Sequence, residues 1–176
     1  MPPSPDRRAR ATRDLGGGRA RNASALAALC LALAPQAATA QKVRATNLTD
    51  VDFGLIANTQ AEARRSQNIC LYSNSMGGAY SVSASGSGSG SSFVLTNGPD
   101  LLPYAVEWSD SSGQTSGVEL APSVALTGQQ SSASHQFCNS GPATSASMTI
   151  VLKAADLSQA RQGNYAGTLT LLIAAE

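Results

Sequence analysis

The chain has 176 residues and a formal charge of +1, with 13% charged and 5% aromatic side chains. The charge is unevenly placed: residues 41–176 hold six basic against nine acidic side chains, a net of −3, and the other six arginines lie in the first 24 residues. That balance leaves no basic stripe for nucleic acid and no polybasic patch for a lipid surface, and a single His with sparse carboxylates argues against an enzyme.

The front of the chain reads as an export signal. Arg7, Arg8, Arg10, Arg13, Arg19 and Arg21 precede the apolar run "ALAALCLALA" (25–34), which is too short to anchor in a bilayer. "ATA" (38–40) then supplies small residues at the cleavage positions. A basic region, a short apolar region and an A-x-A site predict a signal peptide over 1–40, cut between Ala40 and Gln41. The mature chain, 41–176, has the size of one domain. It contains no further apolar run of membrane-spanning length.

Period-two alternation dominates the mature chain. Strands are expected at 43–49, 51–56, 67–72, 78–85, 92–96, 103–109, 123–127, 147–153 and 168–174. In "GAYSVSAS" the apolar series is Tyr80, Val82 and Ala84. In "PYAVEWS" it is Tyr104, Val106 and Trp108, and in "SMTIVLK" Met148, Ile150 and Leu152. Each reads as a half-buried antiparallel strand. A turn or two of helix is expected at 61–65 and 154–160, and "SGSGSGSS" (85–92) reads as a flexible hairpin loop. Many short strands separated by Gly, Pro, Asn, Asp and Ser predict an all-β sandwich or barrel.

Chemistry is hard to find. Cys30 leaves with the leader, so Cys70 and Cys138 form an even pair in an exported chain, which predicts one disulfide. His135 is the one His available to a Ser-His-Asp site, and it lies in a polar stretch beside Cys138. "SNSMG" (73–77) has Ser73 where a nucleophile elbow needs Gly. Asp50 and Asp52 flank Val51 and read as a solvated strand edge; Asp100, Glu107 and Asp110 fall near a loop or strand end. Asn47-Leu48-Thr49 matches a glycosylation acceptor. Tyr104 and Trp108 read as core, with a binding platform as the alternative. No metal spacing, phosphate loop or calcium loop is visible, so no cofactor is expected.

The last segment, "GNYAGTLTLLIAAE" (163–176), places Leu169, Leu171 and Ile173 on one face of a strand. A strand this apolar calls for a neighbour on each side, and an open edge beside an apolar groove invites pairing by another chain. The ordered set "VDFGLI" (51–56), "ICLYSNSMGGAYSVSASG" (69–86), "LPYAVEW" (102–108), "FCNSGPA" (137–143) and "ADLSQARQGNYAGTLTLLIAAE" (155–176) resembles the spore coat protein U domain, the subunit fold of archaic chaperone–usher pili. The resemblance covers most of residues 51–176.

The resemblance implies an immunoglobulin-like β-sandwich lacking its last strand, which is completed by a strand donated from another chain. It implies export through the periplasm to a surface pilus. The partners it implies are a periplasmic chaperone, an outer-membrane usher and neighbouring pilus subunits. Leu169, Leu171 and Ile173 would then line the donor-strand groove. Major subunits of this kind carry a donor extension ahead of the first strand. Here Gln41 to Asp50 is polar and reads as the domain's own first strand, which implies a tip or minor subunit. The competing expectations are a tip adhesin that binds a surface, and a secreted coat or matrix protein that does not polymerise.

Overall fold

Tyr80, Val82 and Ala84 are buried, while Ser81, Ser83 and Ser85 between them are half-exposed. This alternation turns one face of a strand into core and leaves the other wet. The computed structural model describes residues 40–176, and these contain ten strands. They are β1 (Val43–Thr46), β2 (Ala63–Ser73), β3 (Ala79–Gly86), β4 (Val94–Asn97), β5 (Asp100–Pro103), β6 (Ala105–Ser109), β7 (Val118–Glu119), β8 (Leu126–Gln130), β9 (Ala146–Leu152) and β10 (Leu169–Ala175). One short helix, α1 (Ala154–Leu157), follows β9. The expected signal peptide lies outside the described residues except for Ala40.

The strands form a five-stranded sheet in the order β1-β2-β9-β6-β7 and a three-stranded sheet in the order β10-β3-β8, with β4 and β5 as a separate ribbon. Every ladder between them is antiparallel. One core joins the two sheets. Ile69, Leu71, Val106, Trp108, Met148, Ile150 and Leu152 come from the larger sheet, and Tyr80, Val82 and Ala84 from the smaller. The fold is an immunoglobulin-like β-sandwich.

The central strand β9 is buried along its whole length rather than half-buried. Met148, Ile150 and Leu152 face the core. Behind them the 109–117 loop covers the hydroxyl face: the Ser147 hydroxyl donates to Ser111 O at 2.9 Å and accepts from the Gln114 N–H at 3.1 Å. Ser66 and Thr149 hydroxyls meet at 2.7 Å. Buried hydroxyls are tolerated there because each has a partner.

Four local expectations are corrected. Residues 51–56 form no strand: the Asp52 carboxylate accepts the Gly54 N–H at 2.7 Å, and Gly54 sits at φ 61°, so the chain turns. Val51, Phe53 and Ile56 still pack on the core, and Asp50 and Asp52 are exposed on a loop rather than on a strand edge. The 61–65 stretch is no helix, because Ala63, Arg64 and Arg65 pair with Leu152, Val151 and Ile150 of β9. Pairing to a central strand outweighs the high helix propensity of Ala, Glu and Arg, because tertiary context overrides local preference. The 123–127 strand lies three residues later: Ser123 at φ 60° and a Val124 N–H bond to Ala121 O make a turn first.

The fourth correction concerns 85–92. β3 and β4 are not paired with each other, so the segment is not a hairpin loop. It closes on itself instead, with the Gly88 N–H donating to Ser92 O at 3.1 Å. A Cβ on Gly86 would stand 2.1 Å from Ser92 O, so the close approach requires glycine there.

Candidate functional site

The alternation of β10 matches the sequence. Leu169, Leu171 and Ile173 pack against the core, whereas Thr170, Leu172 and Ala174 point outward, Leu172 with 68% of its surface exposed. Yet the inward residues are only half-buried, unlike Tyr80 and Val82 of the adjoining strand at 0% exposed. The cause is a missing neighbour. Among the described residues β10 has one ladder partner, β3, in an unbroken register from Leu169↔Gly86 to Ala175↔Tyr80.

The other wall is β1. It pairs with β2 alone, and Val43 and Ala45 on its inner side are half-buried against the same core. The Gln41 side chain donates to Glu176 O at 3.5 Å, which sets the start of β1 beside the end of β10. The two strands therefore run antiparallel, with Cα atoms within 8 Å at their nearest residues and no ladder between them, so a strand entering there has to spread them to about 9.6 Å.

The backbone of β10 is directed into that gap. The Glu176 N–H donates to Ala79 O at 3.3 Å, which continues the β3 ladder by one residue. Ala84 O accepts instead from the Ser123 N–H at 2.7 Å, on the far side of β3. Antiparallel ladders alternate hydrogen-bonded and non-hydrogen-bonded pairs. Ala84↔Leu171 is therefore a non-hydrogen-bonded pair. By that parity the amides and carbonyls of Leu169, Leu171, Ile173 and Ala175 point away from β3. The slot thus offers a row of backbone groups over an apolar floor, a surface chemically matched to an extended peptide.

The cysteines are joined as expected. Cys70 and Cys138 form a disulfide with Cα atoms 5.9 Å apart, across a separation of 68 residues. Such a loop closure is worth about 4 kcal/mol in the chain-entropy account.

Tyr104 and Trp108 are core residues, 8% and 1% exposed. The Trp108 indole N–H donates to the Tyr80 hydroxyl at 3.1 Å, with the two rings edge-to-face. Burial pushes the Tyr80 phenol up to about 12, against an opposing pull from the Trp108 hydrogen bond. Burial also raises Tyr104, which stacks on Phe93 at 5.6 Å. These two rings floor an open cleft of about 490 Å³ with Leu120, Ala121, Pro122 and Glu119.

The other candidates do not converge. His135 is exposed and its Nδ1 contacts Ser134 Oγ at 3.1 Å. Asp100 lies 3.7 Å from Arg161, and the Asp110 carboxylate accepts the Gln130 N–H at 3.4 Å. Glu107 accepts from Arg64 and from the Gly117 N–H. Arg64 also bonds Glu62 at 2.7 Å, and that bond is the largest cause of its raised pKa. Among the described residues no group of three or more His, Cys, Asp or Glu could hold a metal, and no helix is long and apolar enough to cross a membrane. Asn47 is exposed at φ 65°, where β1 ends.

No family model and no curated protein matches the chain. Solved structures do match. One is a chain from the chaperone–tip adhesin complex of CFA/I fimbriae biogenesis, with a TM-score of 0.49 and 12% identity over 77% of this chain. The overlay takes in 41% of that neighbour's length.

Sequence reasoning placed Leu169, Leu171 and Ile173 on one face but could not say what lay beside them. It missed β1 as the opposite wall, because Val43 and Ala45 carry too short an alternation to mark an edge. It missed the Tyr80–Trp108 bond, which joins residues from opposite sheets with no local signal.

Proposed function

We propose that the protein is an exported structural subunit of a chaperone–usher type pilus, and that the slot between β1 and β10 receives a strand from another chain. The observation that carries this reading is the pair of edge strands facing each other across a shared core, with Leu169, Leu171 and Ile173 left half-buried. A donated strand would satisfy the backbone groups of β10 and add alternate apolar side chains to the core. The ordered resemblance to the spore coat protein U domain supports the same reading. It supplies the partners: a periplasmic chaperone as first donor, an usher, and a neighbouring subunit as final donor.

The β1 segment bears on position in the fibre. β1 is laddered to β2, so residues 43–46 belong to the domain's own sheet and are not free for a neighbour. With cleavage after Ala40, Gln41 and Lys42 alone would precede it. On this reading the subunit accepts a strand and gives none, as a terminal subunit does.

The test is thermal melting of the exported protein with a peptide of alternating valine and threonine, about nine residues long, enough to run the length of β10 with some overhang. A ligand that binds only the folded state raises Tm with its concentration. A melt unmoved by the peptide at every concentration would remove the slot reading and leave a non-polymerising coat or matrix protein.

A further inference from the structure

The outer side of the β1 wall carries a feature the slot does not use. β1 is four residues long and has one ladder partner. On its outward side Arg44 lays its guanidinium over the Phe137 ring, 3.9 Å from the centroid. Among the described residues Arg44 makes no ion pair, so the ring is its principal partner. Such a contact holds a cation in place without a carboxylate.

Phe137 adjoins Cys138, whose bond to Cys70 anchors it to β2, and Cys70 is the register partner of Thr46 in β1. The segment from 131 to 140 has no strand or helix of its own. Its remaining ties to the sheets are few. The Ser131 N–H donates to Gly78 O at 3.0 Å, the Ser131 hydroxyl donates to Leu71 O, and Ala133 packs beside Cys70. A continuous line of contacts therefore runs from the disulfide through Phe137 and Arg44 to one wall of the slot.

We propose that the 131–140 segment is a clasp on β1, closed by the disulfide, and that reducing Cys70–Cys138 loosens β1 and weakens strand capture by the slot. The capture half of this rests on the proposed role of the slot as a strand acceptor. The chemistry needs a dithiol. One thiolate attacks the Cys138 sulfur, since Cys138 is 8% exposed and Cys70 not at all. The S–S bond breaks, and Cys70 leaves as a thiolate that takes up a proton. The second thiolate of the reagent then displaces Cys138 and closes the reagent's own disulfide, so two electrons pass from dithiol to protein.

The experiment follows hydrogen exchange across 43–46 and across β9, together with binding of the valine–threonine peptide, on the oxidised full chain, on the same chain in dithiothreitol, and on oxidised Phe137→Ala. Reduction is expected to speed exchange in 43–46 with β9 still protected, and to weaken the peptide about tenfold. Phe137→Ala should do the same without reductant, weakening the peptide about threefold, in line with one lost exposed cation–π contact. Unchanged β1 exchange and unchanged affinity in Phe137→Ala overturn the clasp. If β9 protection also collapses on reduction, the fold has opened and the Phe137→Ala arm decides. If β1 exchange responds but the oxidised protein never binds the peptide, the slot reading falls and the capture half falls with it, while the brace on β1 stands.

Discussion

Leu171 lies in the middle of β10 and faces the slot, so Leu171→Ala separates the empty domain from the filled one. Truncating a fully buried leucine costs ~3 kcal/mol. Leu171 is only half-buried here, so the empty domain should lose about half of that, ~1.5 kcal/mol. With a strand in place the side chain would be covered and the full amount would apply. The difference, ~1.5 kcal/mol, should appear as peptide binding about tenfold weaker. Leu172 is the control: it is the same residue type, one position on, and 68% exposed on the opposite face. Leu172→Ala should change stability and binding by less than ~0.5 kcal/mol. The assays are thermal melts of both variants and peptide titration by calorimetry. Equal losses in the two variants, or a loss confined to Leu172→Ala, would show that the inward face of β10 is not the face a strand covers.

Tyr80→Phe leaves the buried Trp108 N–H without its acceptor and should cost ~1–3 kcal/mol, read as a Tm several degrees lower. Tyr165→Phe should be neutral or slightly stabilising in the same melt, because the buried Tyr165 hydroxyl has no partner to lose among the described residues. The raised phenol of Tyr80 fixes a pH window. The unfolded chain releases this proton near 10 and the folded one near 12, so the stability it contributes is intact below pH 10 and is lost as pH rises to 12. Melts from pH 9 to 12, with tyrosinate absorbance followed in parallel, check this. A Tm flat across that range, or Tyr80 ionising at its ordinary value, refutes it. Gly86→Ala should destabilise by ~1–3 kcal/mol, since its Cβ would meet backbone atoms of Ser92 at 2.1 and 2.8 Å; denaturant unfolding measures the loss.

Alternation made β3, β6, β9 and β10 legible, because Tyr80, Val106, Met148 and Leu171 each sit in a series whose period belongs to one face. The pairings were not legible. Arg64 and Arg65 looked helical until β9, more than 80 residues away, supplied them with partners. Phe53 looked like a strand residue, and its neighbours Asp52 and Gly54 turned the chain instead. The slot was half visible: Leu169, Leu171 and Ile173 marked its floor, but its second wall depends on where β1 lies, and that is a matter of tertiary contact. Arg44 over Phe137 had no sequence signal at all, being set by a strand and an irregular segment about 90 residues apart.

The central ladder of the larger sheet joins β2 to β9, with Ser66 and Thr149 paired across a sequence separation of 83. Contacts so distant in sequence close late, after the entropy of a long loop has been overcome, and sheets built on them fold slowly. A chain emerging from its N-terminus would show β2 to its surroundings with β1 as its one ladder partner, the edge that β9 covers staying bare until residues 146–152 had followed. During that interval β2 carries Ile69, Cys70 and Leu71, all fully buried in the finished fold, in the open. The danger for this protein therefore lies less in how stable the finished sandwich is than in how long its strands wait, and a partner that grips an early strand would act on that waiting time.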